Sequence, residues 1–223
     1  MSLCVLLLGL SALARQATTF SDTFGGDTSL NSAIWTTHST LLKTIARNSA
    51  SIWIEPRLSF SDAGMTFSGV TGTFQFSGIQ SVASFHPPFD ASARVTGTMA
   101  NGNPFVFYVS DASQTTYVSI AGNLNPRNTG YYGINIDGIG RNRYKLYQTP
   151  SIDVAYMVSI EVDADGSAVV SVSTHGKLLA ARGDIDLGTG PFYIILGQFE
   201  GGPVTVGPNA AVWSEFSMTT SPH

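Results

Sequence analysis

Short runs of strictly alternating apolar and polar residues dominate this chain, and they constrain its fold more than any other feature. In Phe105–Ser110, Phe105, Phe107 and Val109 fall on one face and Val106, Tyr108 and Ser110 on the other. Tyr117–Ala121 sets Val118 and Ile120 against Tyr117, Ser119 and Ala121. Tyr131–Asp137 sets Tyr132, Ile134 and Ile136 against Tyr131, Gly133, Asn135 and Asp137. Tyr156–Val162 places Tyr156, Val158, Ile160 and Val162 opposite Ser159 and Glu161. A period of two over such lengths is the signature of half-buried strands in antiparallel sheets. Phe192–Leu196 is apolar on both faces and is expected to be a central strand. No long segment carries a helical period.

Between the runs stand Gly, Pro, Asn and Asp. Asp165-Gly166 divides two alternating runs and predicts a hairpin whose two turn residues take positive φ. Asp137-Gly138 and His175-Gly176 are similar punctuation. There is no internal repeat and no linker, so residues 18–223 are expected to form one all-β domain, a two-sheet antiparallel jelly-roll sandwich.

Composition narrows the function classes. Only 12% of the 223 residues are charged and the net charge is −4. A nucleic-acid partner requires clustered cations, and the densest group is Arg141, Arg143 and Lys145. Nucleic acid is therefore not an expected partner. The single cysteine, Cys4, excludes an intrachain disulfide. It lies in the apolar run Leu3–Leu13, too short to span a bilayer but suited to a signal-peptide core, with Ser11, Ala12 and Ala14 suited to cleavage. Residues 1 to about 17 are expected to be a leader. The mature chain is then secreted, periplasmic or on the cell surface, without stable membrane insertion. A buried strand or helix is the alternative for this run.

Several stretches, in order, resemble the concanavalin A-like lectin/glucanase superfamily, which includes laminin-G-like domains and family 16 glycoside hydrolases. They are Phe20–Phe24 followed by Leu30–Trp35, Gln80–Arg94, the hairpin Tyr156–Leu179, and the closing strands Phe192–Gly197 and Ala210–Met218. The resemblance covers most of residues 20–218 and implies the concanavalin A-like jelly roll. It also implies where family 16 enzymes keep their Glu-x-Asp-x-Glu strand, namely near Tyr117–Ala121. Tyr117, Ser119 and Ala121 there cannot supply the two carboxyls of a retaining mechanism.

Other chemistry is sparse. Of four glutamates, Glu161 alternates with Asp163 and could form a carboxylate pair. Asp163 and Asp165 run into Gly166, however, and read better as turn formers. A calcium loop there would need further oxygen ligands and a terminal glutamate, and Thr174 stands in that place. No cofactor is expected, calcium being the single candidate. His86, before Pro87-Pro88, is a loop histidine or a base. Arg143–Gln148 resembles a tyrosine/lysine/glutamine strand of some polysaccharide lyases, but precedes the Asp165-Gly166 hairpin instead of following it. Trp35, Trp53 and Trp213 read as core anchors.

Sugar rings pair apolar C–H faces with polar rims, so a glycan groove combines aromatic platforms with a few polar groups. Tyr108, Tyr117, Tyr131 and Tyr147 could be the platforms. Ser110, Asn135, Asp137 and Arg143 could make the polar contacts. Three functions remain open from the sequence: a lectin-like protein holding a poly- or oligosaccharide, a glycan-cleaving hydrolase or lyase, and a surface protein-interaction domain.

Overall fold

The computed structural model describes residues 17–68, 74–97, 103–124, 132–138, 144–149, 154–200 and 211–221. The expected leader lies outside the described residues as far as Gln16. Among the described residues no helix is long and apolar enough to cross a membrane.

The chain runs through β1 (Thr18–Asp22), β2 (Trp35–Thr36), α1 (Thr40–Asn48), β3 (Ile52–Trp53), β4 (Leu58–Ser61) and β5 (Gly64–Phe67). It continues through β6 (Gln75–Ser81), β7 (Phe89–Gly97), β8 (Asn103–Ser110), β9 (Tyr117–Leu124), β10 (Tyr132–Gly138) and β11 (Tyr144–Thr149). Last come β12 (Ala155–Val162), β13 (Ser167–Thr174), β14 (Lys177–Asp186), β15 (Tyr193–Glu200) and β16 (Ala211–Thr220). The first sheet has the order β14-β13-β12-β7-β16-β5-β4, with β1 also paired to β16. The second has the order β11-β10-β9-β8-β15-β6-β2, with β3 also paired to β6. This is the expected two-sheet sandwich.

Alternation determines what lies between the sheets. Phe105, Phe107 and Val109 of β8, Val118 and Ile120 of β9, and Tyr156, Val158, Ile160 and Val162 of β12 all enter one core. Trp35 and Trp213 are buried within it as expected. Trp35 meets Phe216 edge-on at 4.9 Å, and Trp213 meets Phe105 edge-on at 6.2 Å. Trp53 packs elsewhere, at the margin of a second cluster under α1.

The hairpin between β12 and β13 forms where expected, but with different turn chemistry. Gly166 has φ +88°, whereas Asp165 is not among the positive-φ residues. Gly166 N–H donates to Asp163 O at 2.9 Å, so the turn spans four residues from Asp163. Asp165 Oδ1 accepts from Ser167 N–H at 2.9 Å, the turn-forming role expected of it. The two-residue turn with both φ positive is instead His175-Gly176, at +48° and +73°.

The helix α1 answers to no long-range periodicity. Nine residues are too few to form a stable helix alone, so its packing supports it. Ser39 caps it, accepting from Leu42 N–H at 3.1 Å, and the same hydroxyl donates to Gln80 of β6. Leu41, Leu42, Ile45 and Ala46 form its buried face. They cover Phe76 of β6 and Ile195 of β15 on the outer face of the second sheet. The doubly apolar run Phe192–Leu196 is thus explained. Ile194 and Leu196 face the sandwich core, while Ile195 faces the helix.

Candidate functional site

The outer face of the second sheet carries Tyr108, Ser110, Tyr117 and Asp137, four of the residues singled out for glycan contact. Register places Tyr108 opposite Ser119, Ser119 opposite Asp137, and Ser110 opposite Tyr117. Asn135 holds the position opposite Ala121. Tyr117 Oη donates to Asp137 Oδ2 at 3.3 Å, and Gly138 N–H donates to Asp137 Oδ1 at 2.9 Å. The Tyr108 and Tyr117 rings lie 6.0 Å apart at an angle of 49°. Cross-strand neighbours on one face of a sheet are within contact distance, so β8, β9 and β10 bring Tyr108, Ser110, Tyr117, Ser119 and Asp137 into one patch.

Half of that face is roofed. Tyr108, Tyr193, Phe199 and Trp53 pack against the cluster beneath α1. Burial pushes the Tyr108 phenol up, Tyr117 and Asp137 push it further, and hydrogen bonds with Ser49 and Ser119 only partly offset this. Tyr108 therefore stays neutral and supports the helix end. Ser110, expected to be a polar contact, is completely buried, and its hydroxyl donates to Asp111 O at 3.0 Å. It has no access to a ligand, being fully buried at the β8–β9 turn. Tyr117, Ala121 and Asp137 remain partly exposed.

The β8–β9 turn holds the helix in place. Asn48 Nδ2 at the end of α1 donates to Gln114 Oε1 at 2.9 Å. The turn is organised by Asp111, which accepts from Thr115 N–H at 2.8 Å, Thr116 N–H at 3.2 Å and Ser113 Oγ at 2.9 Å. Burial pushes the Asp111 carboxyl up, but hydrogen bonds from Thr115, Thr116 and Ser113 outweigh it, and its pKa falls below the ordinary 3.8. A depressed carboxylate contributes stability that is present above its unfolded pKa and lost as pH falls through its folded value. The parent should therefore out-melt Asp111→Asn at pH 6, and the gap should begin to narrow only below about pH 4 and go on narrowing as pH falls further. Thermal unfolding at about pH 6 and at several values below about pH 4 checks this, and a gap that stays constant throughout would refute it.

Of the other expected contacts, Tyr131 and Arg143 lie outside the described residues. Tyr147 holds the position in β11 opposite Ile134, a core residue, so the register places it on the sandwich side and not on the outer face as expected. Glu161 and Asp163 are exposed at the end of β12, on the first sheet and away from the tyrosine patch. Glu161 stands directly opposite Asp90 of β7, and both border a depression of about 240 Å³. His86 Nδ1 lies 3.1 Å from Thr189 O in an exposed loop. Among the described residues no three His, Cys, Asp or Glu side chains are grouped to hold a metal. Sequence reasoning missed the helix and its Asn48–Gln114 latch. The available signal was the spacing of Leu41, Leu42, Ile45 and Ala46 after Ser39.

These sheets and this order define a concanavalin A-like jelly roll. The chain is similar in structure to an endo-β-1,3(4)-glucanase from family GH16, with a TM-score of 0.64 at 11% identity over 92% of each chain. It is similar to the endo-β-1,3-glucanase of Pyrococcus furiosus, with a TM-score of 0.61 at 14% identity over 90% of this chain and 93% of that one. A Crh5 transglycosylase gives 0.62 at 13% identity, over 92% and 85%. At these identities the likeness is one of fold. No protein-family model and no curated protein sequence matches the chain.

Proposed function

We propose that this protein is a lectin-like jelly roll that holds a poly- or oligosaccharide outside the cell, on the open half of the second sheet's outer face. The observation that carries this reading is the Tyr117–Asp137 pair. It sets an aromatic ring beside a carboxylate, the combination that meets the C–H face and hydroxyl rim of a sugar. On the described part of that face Asp137 is the one carboxylate, and the outward residues of β9 are Tyr117, Ser119 and Ala121. Glycosidic hydrolysis by the paired-carboxylate route needs two acids. The solved structures of like fold are named as glucanases and a transglycosylase, which supports a glycan as the ligand.

Cleavage is the second reading. Those enzyme names favour it, and so does the opposed pair Asp90 and Glu161 on the first sheet. A polysaccharide array scored for both retention and released reducing ends separates the two. Retention without release is expected, weakened about three- to tenfold by Tyr117→Ala with the thermal midpoint little changed. Release of reducing ends abolished by Glu161→Gln would replace binding with hydrolysis as the function. Absence of both activities would remove the glycan reading altogether.

A further inference from the structure

We infer that a second, anion-selective sugar site lies on the opposite side of the sandwich, in a cavity of about 310 Å³ on the outer face of the first sheet. It is independent of the tyrosine patch. Arg94 of β7, Met157 of β12 and Ser173 of β13 form one cross-strand row along it. Thr174 and His175 close one end.

The lining holds the Arg94 guanidinium, the His175 imidazole and the largely buried Tyr156, with no carboxylate among them. Arg94 is held from outside the lining, its Nε donating to Glu215 Oε1 at 3.3 Å. Among the described residues this is the guanidinium's one partner, which leaves the paired Nη groups to donate together. Such a fork matches a carboxylate or sulfate.

His175 occupies a two-residue turn at φ +48°, where asparagine is the ordinary choice. The turn itself does not call for a ring there. Thr174 Oγ1 donates its one proton to Ala155 O at 2.9 Å, so at 3.2 Å from His175 Nδ1 it serves as the acceptor. That fixes the proton on Nδ1 and leaves Nε2 as an acceptor for a ligand hydroxyl. The Ser173 hydroxyl, the Met157 thioether, the His175 acceptor and the Arg94 fork suit one pyranose ring bearing an anionic substituent. The cavity is at the lower end of the range for small-molecule sites, which is one ring and not a chain. In a protein of net charge −4, the Arg94 fork is the group that would admit such a substituent.

The test uses the full chain, isotopically labelled and titrated with glucuronate, glucose 6-sulfate and glucose while backbone amide shifts are followed. Glucuronate or the sulfate ester should shift Ser173–Gly176 and Arg94 saturably, and glucose should not. Response to one anion alone identifies the substituent. Arg94→Gln should weaken binding about tenfold. His175→Asn, which keeps the turn, should weaken it about threefold and guards against a folding failure at Arg94. Equal response to glucose, shifts confined to the second sheet, or binding unchanged in both variants would overturn the inference.

Discussion

Trp35→Ala is expected to destabilise the protein by about 3–5 kcal/mol, the range for removing a large buried aromatic side chain. Trp35 is almost wholly buried between Phe24 and Phe216. It also does something a hydrocarbon cannot, because its Nε1–H donates to Asp22 Oδ2 at 2.8 Å in a buried setting. Trp35→Phe keeps much of the apolar contact but leaves that carboxyl without the indole, at an expected cost of about 1–3 kcal/mol. Burial pushes the Asp22 pKa up, the Trp35 hydrogen bond draws it down, and Asp27 adds an upward push. Without the indole the carboxyl rises further. A raised carboxyl favours folding below its unfolded pKa and loses that contribution as pH rises through the folded value. The Trp35→Phe penalty should therefore be full at pH 7 and shrink towards about pH 3, where Asp22 is protonated.

Trp213 supplies the control. It is just as buried, but its Nε1 has no hydrogen-bond partner among the described residues. Trp213→Phe removes no bond and should cost less than Trp35→Phe, with no comparable pH dependence. Denaturant unfolding of both variants at pH 7 and pH 3 decides the matter. Equal penalties at both pH values would remove the Asp22 bond as the cause.

Ile45→Asp is the second large effect. Ile45 is fully buried in the interface between α1 and the second sheet. A carboxylate there has no cation among the residues of that cluster and must either stay protonated or break the contact. Since nine residues do not hold a helix alone, the helix is expected to unseat while the sandwich core, which does not contain it, stays folded. The signature is an added low-temperature transition, a changed environment at Trp53, and dye binding by newly exposed Phe76, Ile195 and Tyr193. The stability lost in that step should be about 3 kcal/mol or more. Ile45→Val, by contrast, should cost about 1 kcal/mol. A single unchanged transition in Ile45→Asp would show that the helix is not a separable cover.

This bears on function, because unseating α1 uncovers Tyr108 beside Tyr117. With the platform lengthened, glycan retention should rise or hold in Ile45→Asp. If this face holds a glycan as proposed, the helix sets how much of the sheet that ligand can use.

The sandwich was legible in the chain because strand formation depends on a local rule. Side chains alternate sides, so Phe105, Phe107 and Val109 announce a buried face whatever lies opposite them. The doubly apolar Phe192–Leu196 announced two covers as well, though not what the second would be. The open part of the candidate site could be read only as a face: Tyr117 and Asp137 were on the right side of their strands, but their pairing depends on the register of β9 with β10. Ser110 shows where the rule stops. Alternation puts it outward, yet it is fully buried, its hydroxyl bonded to Asp111 O at the turn. Pattern reports which side of a sheet a residue occupies, but not what arrives from elsewhere in the chain to lie on that side. The cover depends on contacts between residues distant in sequence, such as Ser39 with Gln80 and Asn48 with Gln114. A nine-residue helix acquires its stability only from such contacts, so the tertiary structure alone decided which half of the sheet is open to a ligand.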